Sequence, residues 1–199
     1  SQKDKKFDIN YAGAKAAGIP CGAYWYSYAQ SEEEARTEAA VCLEIIKGKQ
    51  FEYPIYFDVE EQRTLKLGVD KVSAIINAFL RELEKAGYFA GLYMSAYPLK
   101  NYVNDTTRRR YAVWVAHYGV SKPDYNGQYG MWQKSSSGRV EGINGNVDLD
   151  ECYVDYPAII KNKGDNGYPK PEPPKPQKAK IKATIEIDEH IYSGLLEEQ

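Results

Sequence analysis

The sequence has little cysteine and histidine, and this narrows the kinds of site that it can build. Three cysteines, Cys21, Cys42 and Cys152, lie far apart, and the histidines are His117 and His190. A disulfide framework needs an even set of cysteines, and a zinc site needs ligands at short, recognisable spacings. The sequence therefore predicts buried free thiols, with no metal and no other cofactor.

Long apolar runs and an excess of basic residues are also missing. No stretch approaches the roughly 20 apolar residues that a membrane-spanning helix requires. The formal net charge is −2, whereas a nucleic-acid backbone is bound by a basic surface. Residues 1–6 lead into no apolar segment of the kind found in signal peptides. We expect no nucleic-acid partner, no membrane span and no visible signal peptide.

Tyrosine, in contrast, is abundant. The chain contains 18 tyrosines and 3 tryptophans. Aromatic rings suit a groove that stacks on the flat faces of sugars, but they also carry the large apolar area that a core needs. Composition alone leaves both interpretations open.

Short strand patterns alternate with helical patterns up to about residue 156. Strands are predicted near residues 19–29, 53–61, 88–97, 111–118, 129–133 and 146–150. Helices are predicted near residues 7–18, 32–47, 69–86 and 99–103, the second of them opened by a capping box at Ser31. This alternation predicts an α/β fold with a parallel sheet. An open doubly wound sheet is the alternative, although no glycine-rich phosphate loop follows any strand.

The stretch 53–61, YPIYFDVEE, is the most informative of these strands. Strand side chains alternate between faces, so Asp58 and Glu60 share one face, roughly 6–7 Å apart along the backbone. Two carboxyl groups at this spacing can flank one bond of a substrate. A strand that ends in a solvated acidic loop is the alternative.

Several other polar side chains lie near the carboxyl ends of predicted strands, where α/β barrels gather their functional residues. They are Ser95, Tyr118, Gln133 and Asp148. Glycoside hydrolysis requires an acid that protonates the leaving oxygen and a second group that opposes the developing positive charge. Asp58, Glu60 and Asp148 supply these groups. A turn or cap role for Asp148 stays equally open, and His117 is expected to be a hydrogen-bonded strand residue.

Six short motifs in order resemble glycoside hydrolase family 25, the lysozymes of the Chalaropsis type, over roughly residues 7–156. They are GAY at 22–24, YFDVE at 56–60, LYMS at 92–95, VWVA at 113–116, MWQ at 131–133 and GNVD at 145–148. The resemblance implies an irregular TIM-like (β/α) barrel. It also implies a muramidase of phage or bacterial origin that acts outside the cell or in the cell wall. Such an enzyme cleaves the β-1,4 bond between N-acetylmuramic acid and N-acetylglucosamine of peptidoglycan.

Carried over by position, the resemblance makes Glu60 the general acid/base. Asp58 would assist the substrate's 2-acetamido group, and Asp148 would be a further acidic wall of the site. The residues expected to line the sugar groove are Tyr24, Tyr26, Tyr93, Trp114, Trp132 and Gln133. The resemblance requires no metal.

This sequence departs from the family pattern at its start. Family members begin with a strand that carries Gly-Ile-Asp-Val and an aspartate of the site, followed by a second strand, and this sequence begins after both. Six strands would leave two open sheet edges, which could pair with a partner chain or with the C-terminal strand. Either this sequence lacks its N-terminal part, or it is a naturally shortened homologue. In the second case a catalytically impaired, glycan-binding remnant is the alternative function.

Composition divides the chain into three parts. Residues 1–163 are expected to form the catalytic domain, and residues 164–180 a linker rich in proline and lysine. Residues 181–199 are too short to fold alone, and we expect one strand at 181–188. This segment is expected to be a fragment of a second module, and an arm that pairs with another strand is the alternative.

Overall fold

The computed structural model describes residues 3–172, 181–187 and 190–196. Its main body is an α/β domain around a curled, half-barrel sheet of six strands in sequence order. The strands are β1 (Ala23–Tyr26), β2 (Ile55–Asp58), β3 (Ala90–Ser95), β4 (Ala112–Ala116), β5 (Met131–Gly138) and β6 (Val147–Cys152). The predicted α/β class and all six predicted strands are confirmed.

The pairs from β1 to β5 are parallel, as predicted, but β6 runs antiparallel to β5. The expectation of a parallel sheet was therefore wrong for the last pair. Residues 139–146 alone connect these strands. A parallel pair needs a crossover of about a dozen residues or more, so the short connection permits only a hairpin.

Seven helices surround the sheet in the described part of the chain. They are α1 (Phe7–Ala16), α2 (Glu32–Ile46), α3 (Gln62–Leu65), α4 (Val69–Lys85), α5 (Ala96–Tyr102), α6 (Asp105–Arg110) and α7 (Tyr156–Lys163). The predicted cap of α2 is present, since the Ser31 hydroxyl accepts a hydrogen bond from the Glu34 amide at 3.2 Å. Helices α3, α6 and α7 were not predicted, because each is too short to show a clear helical repeat.

The two faces of the sheet have different surroundings. The outer face packs on the helices, and the rings of Phe57 on β2 and Phe79 on α4 stack with centroids 4.0 Å apart. The inner face lies opposite and carries Tyr56, Tyr93 and Trp114, which form a separate aromatic cluster. Because strand side chains alternate, each strand contributes both to the core and to this inner face.

The first residues of the predicted linker belong to the body of the domain. Asn166 is fully buried. Its side chain accepts a hydrogen bond from the Phe89 amide at 2.7 Å and donates to the Tyr53 carbonyl at 2.8 Å. The proline-rich residues 173–180 lie outside the described residues, so their role as a linker stays a prediction.

The C-terminal segment contains a hairpin where the sequence indicated one strand. β7 (Ile181–Ile187) pairs antiparallel with β8 (His190–Leu196). The assignment of this hairpin to a second module stays a prediction. In the six-stranded sheet, as far as the chain is described, β1 pairs only with β2 and β6 only with β5. Self-association through these edges also stays a prediction. None of the helices that the structure describes is both long and apolar enough to span a membrane.

Candidate active site

Asp58 and Glu60 stand at the carboxyl end of β2 in different environments. Asp58 is only 5% exposed, and within the described residues its Oδ1 atom has no hydrogen-bond partner. Val59, between the two acids, is buried in the outer core. Glu60 is half-buried, and its Oε1 accepts a hydrogen bond from the Ser95 hydroxyl at 3.3 Å. One acid is therefore enclosed, and the other reaches the open space above the strand ends.

These environments raise the pKa values of both acids. Burial raises the pKa of Asp58 to about 8, and the negative charge of Glu60 adds to the effect. Burial also raises the pKa of Glu60, which the hydrogen bond from Ser95 only partly offsets. Two neighbouring carboxyl groups with raised pKa values hold a proton near neutral pH. The pair can therefore donate a proton, which general acid catalysis requires.

The strand register brings the predicted aromatic residues into line with Asp58. Asp58 pairs with Tyr93 across β2 and β3, and Tyr93 pairs with Trp114 across β3 and β4. The ring of Trp114 lies between those of Tyr93 and Tyr56, in edge contacts with centroid distances of 4.6 Å and 5.1 Å. Aromatic and acidic side chains thus share the inner face.

Gln133 orients two tyrosines of this face. Its carboxamide Oε1 accepts hydrogen bonds from the hydroxyls of Tyr93 at 2.7 Å and Tyr118 at 2.5 Å. Burial raises the pKa of Tyr118, and the charges of Asp148 and Glu60 add to it. Tyr118 therefore faces the same acidic space, although the predicted groove did not include it. Its position at the end of the fourth predicted strand had already put it among the polar side chains expected near the site.

The opposite wall of the site comes from β1 and β6. Partial burial raises the pKa of Tyr24, and the charges of Asp58 and Asp148 add to the effect, although Tyr24 stays 64% exposed. Tyr24 therefore lies within reach of the charges of both Asp58 and Asp148. Tyr26 donates its hydroxyl to Glu61 Oε1 at 3.1 Å. Glu61 had no assigned role in the sequence.

Asp150 is a second acid that sequence reasoning missed. Its Oδ1 accepts a hydrogen bond from the Trp114 indole nitrogen at 2.8 Å. Partial burial raises the pKa of Asp150, although the residue is exposed by its accessible surface. The bond from Trp114 opposes this shift, and the charge of Asp148 adds to it. The alternation of residues 147–152 was the available signal, because it puts Asp148 and Asp150 on one face of the strand.

Trp132 is the one predicted groove residue that the structure does not bring to the inner face. It is 6% exposed and belongs to the outer core. Its indole nitrogen donates to the His117 carbonyl at 2.9 Å. Met131 packs on the inner face and Gln133 contributes to the site from there, so Trp132, which lies between them on β5, must face the helices. The groove position expected for Trp132 is corrected to a core position.

Two cavities lie on the β1 side of the sheet, and neither is lined by Asp58 or Glu60. One of about 380 Å³ is lined on the inner face by Tyr24, Tyr56, Trp114, Met131, Asp150 and Cys152, among others. The other, about 870 Å³, lies along β1 and between α1 and α2, and it shares Tyr24 with the first. Among the residues that the structure describes, no group of three or more His, Cys, Asp or Glu could hold a metal ion.

With this geometry established, the sequence matches a known family. The model of the group described as glycosyl hydrolases family 25 matches residues 1–143. The chain belongs to this family. The autolytic lysozyme of Clostridium acetobutylicum is 34% identical over 148 residues, which are 74% of this chain and 44% of that protein. The uncharacterised protein YegX of Escherichia coli K12 is 30% identical over 152 residues, 73% of this chain and 53% of that one.

Solved structures of this family share the fold. The CTP1L endolysin superposes with a TM-score of 0.72 at 28% identity, over 82% of this chain and 57% of that one. The autolysin LytC of Streptococcus pneumoniae, solved with a synthetic peptidoglycan ligand, gives 0.65 at 28% identity, over 75% of this chain and 38% of that one. This family 25 chain spans about half the length of the curated relatives that it matches.

Proposed function

We propose that this family 25 chain hydrolyses peptidoglycan as a muramidase, at the β-1,4 bond between N-acetylmuramic acid and N-acetylglucosamine. The observation that carries the proposal is the pair of acids at the end of β2: Asp58 is enclosed, and Glu60 is open to the groove. The autolytic lysozyme and the endolysin among its relatives support the substrate class. The complex of LytC with a peptidoglycan ligand supports it as well.

In this proposal Glu60 is the general acid. Its carboxyl group protonates the oxygen of the scissile glycosidic bond, and the bond from that oxygen to the anomeric carbon breaks. The anomeric carbon belongs to the N-acetylmuramic acid unit. The 2-acetamido oxygen of that sugar attacks the anomeric carbon and forms a cyclic intermediate, with positive charge on the acetamido nitrogen. Glu60, now a carboxylate, then takes a proton from water, which opens the ring and leaves a new reducing end.

Asp58 has the complementary role. Its enclosed carboxyl faces the developing positive charge on the acetamido nitrogen and stabilises it. That charge also favours the ionised form of Asp58, and the proton of the acid pair then resides on Glu60, which delivers it. Asp148 adds negative potential on the β6 side, as its influence on the pKa values of Tyr24 and Tyr118 indicates. The rings of Tyr24, Tyr93 and Trp114 provide apolar surfaces for the sugar faces.

A muramidase acts where peptidoglycan is, so we further propose that this chain works outside the cell or in the cell wall. The test of the function is the clearing of a purified cell-wall suspension, with release of reducing sugar. The chain should clear the suspension, and Glu60→Gln should not. The matched control is Glu44→Gln, the same chemical change on the exposed side of α2, which should clear like the unmodified chain.

A binding function without hydrolysis gives a different result. In that case the unmodified chain would be retained on insoluble peptidoglycan without releasing reducing sugar, and Glu60→Gln would be retained equally well. Clearing by the unmodified chain and by Glu60→Gln at the same rate would remove Glu60 from the proposed role.

A further inference from the structure

Asp150 and Trp114 form a contact that crosses the inner face of the sheet. Asp150 lies on β6 and Trp114 on β4, and β5 runs between them. Asp150 pairs with Gln133 in the strand register, and Trp114 pairs with Met131. The 2.8 Å hydrogen bond from the Trp114 indole nitrogen to Asp150 Oδ1 therefore spans a whole strand. Such a bond ties the last, antiparallel strand to the parallel part of the sheet.

The surroundings of Trp114 show why this bond matters for its orientation. An indole has a single hydrogen-bond donor, and here that donor binds Asp150. The two aromatic neighbours described for the ring, Tyr56 and Tyr93, make edge contacts. Aromatic edge contacts tolerate a range of distances and angles. The hydrogen bond to a carboxylate is shorter and more directional, so it selects one orientation of the ring.

The same ring borders open space. Trp114, Asp150 and Tyr24 all line the cavity of about 380 Å³. Trp114 also pairs in register with Tyr93, which itself pairs with Asp58. Trp114 is thus two strands away from Asp58, with Tyr93 between them. A rotation of the indole would change the wall of the cavity and the packing of Tyr93, which adjoins Asp58.

We propose that Asp150 is a positioning residue for substrate binding, whose carboxylate holds the Trp114 indole in the orientation that contacts a sugar ring. The inference rests on the proposed function, because that function makes Trp114 a wall of the sugar groove. Asp150 acts through Trp114 and has no direct contact with the substrate. Asp148, the other acid that faces Asp150, adds charge to this wall and makes no bond to the indole among the described contacts.

A double-mutant cycle tests whether Asp150 acts through Trp114. The variants are Asp150→Ala, Asp150→Asn, Trp114→Phe and the double variant Asp150→Ala/Trp114→Phe, assayed on solubilised, uncrosslinked peptidoglycan strands. Asp150→Ala should raise KM about tenfold, the size expected from losing one charged hydrogen bond, and leave kcat within about a factor of two. Asp150→Asn should stay near the unmodified chain, because the amide oxygen can still accept the bond.

The double variant gives the decisive comparison. If Asp150 acts through Trp114, the double variant should bind no worse than Trp114→Phe alone, because the two effects share one contact. Additive losses would overturn the proposal, because they would show that Asp150 contacts the substrate directly. An unchanged KM in Asp150→Ala would also overturn it. The control is Glu151→Ala on the same strand, since Glu151 bonds to Lys134 and Tyr153 and not to Trp114. Its KM should not change.

A measurement without substrate separates this inference from the proposed function. Asp150→Ala should shift the tryptophan emission spectrum, and the shift should vanish when Trp114 is already phenylalanine. If the shift is missing, or persists without Trp114, Asp150 does not orient the indole and the inference fails. A chain that shows the expected spectra but hydrolyses no peptidoglycan, or hydrolyses it equally after Glu60→Gln, would contradict the proposed function alone.

Discussion

Asp58 ends β2 with its carboxyl group enclosed, and Glu60 turns its own carboxyl group towards Ser95 and the groove. The strand alternation puts the two acids on the same side, and buried Val59 separates them in the sequence. Enclosure and like charge together make the ionised form of Asp58 unfavourable. The stability of the fold should therefore depend on the protonation of this acid.

Replacing Asp58 by asparagine should change the pH dependence of stability. The pKa of Asp58 rises from an ordinary value of 3.8 to about 8 in the folded chain, so the folded state binds this proton more tightly than the unfolded state. Its stabilising contribution is complete below about pH 4 and is lost as the pH rises through about 8. The free energy of unfolding of Asp58→Asn, relative to that of the unmodified chain, should therefore rise by about 3–5 kcal/mol between these two pH values.

Urea unfolding at pH 4 and at pH 9 measures this difference. Glu44→Gln, the same acid-to-amide change at an exposed position, is the control and should track the unmodified chain at both pH values. If the difference between Asp58→Asn and the unmodified chain is the same at pH 4 and pH 9, the proposed protonation of Asp58 is wrong.

Glu52 should contribute in the opposite pH range. Burial would raise its pKa, but hydrogen bonds from Lys15, Tyr168 and the Cys21 amide lower it to about 2 from an ordinary value of 4.5. The stabilisation is present above about pH 4.5 and is lost as the pH falls through about 2. Glu52→Gln should therefore lower the free energy of unfolding by about 2–3 kcal/mol at pH 7 and by progressively less in acid.

Chemical denaturation from pH 7 down to pH 2 follows this loss. The control is Glu32→Gln, because Glu32 pairs with Arg36 at 3.3 Å on an exposed helix face. A surface pair of this kind contributes less than about 1 kcal/mol. If Glu52→Gln lowers the free energy of unfolding by the same amount from pH 7 down to pH 2, Glu52 is not stabilised as an ionised carboxylate that accepts three hydrogen bonds.

Gly91 should not tolerate a side chain, because it lies under the ring of Tyr56. A methyl group at Gly91 would come within 2.5 Å of that ring, and Tyr56 is 2% exposed and has little room to move. Gly91→Ala should lower the free energy of unfolding by about 1–3 kcal/mol. Gly13 in α1 faces open space, so Gly13→Ala should raise the free energy of unfolding by about 0.5–1 kcal/mol. Thermal unfolding of the two variants should shift in opposite directions.

Substitutions of Trp132 and Trp114 should have different effects, the first on stability and the second on substrate binding. Trp132→Phe removes part of a buried side chain and its bond to the His117 carbonyl, so it should lower the free energy of unfolding by about 2 kcal/mol. It should leave KM unchanged, whereas Trp114→Phe should raise KM. Steady-state kinetics and urea unfolding of both variants check this assignment. A raised KM in a stably folded Trp132→Phe chain would show that Trp132 contributes to the groove after all.

The strands were predictable because successive side chains face two different environments in turn, the helices on one side of the sheet and the groove on the other. Phe57 faces helices and Asp58 faces the groove, and this contrast is visible in sequence. The same rule should have excluded Trp132, since it and Gln133 are neighbours on one strand and cannot both face the groove. The MWQ motif of the family contains both residues, and only the strand alternation distinguishes them.

Other features depend on pairings that sequence patterns do not encode. The antiparallel direction of β6 follows from a short connection whose two ends were uncertain. The bond between Asp150 and Trp114 depends on that direction and on the register of three strands. The return of Asn166 to the β2 and β3 region connects residues more than 75 positions apart. Local periodicity carries no information on such contacts.

The identity of the reducing ends that the chain creates in purified peptidoglycan distinguishes a muramidase from other peptidoglycan hydrolases. Borohydride converts each new end to a sugar alcohol, so a muramidase yields muramitol and a glucosaminidase yields glucosaminitol. We expect muramitol from the unmodified chain and from Glu44→Gln, and at least about 100-fold less from Glu60→Gln. Glucosaminitol alone, or equal muramitol from Glu60→Gln, would contradict the proposed function.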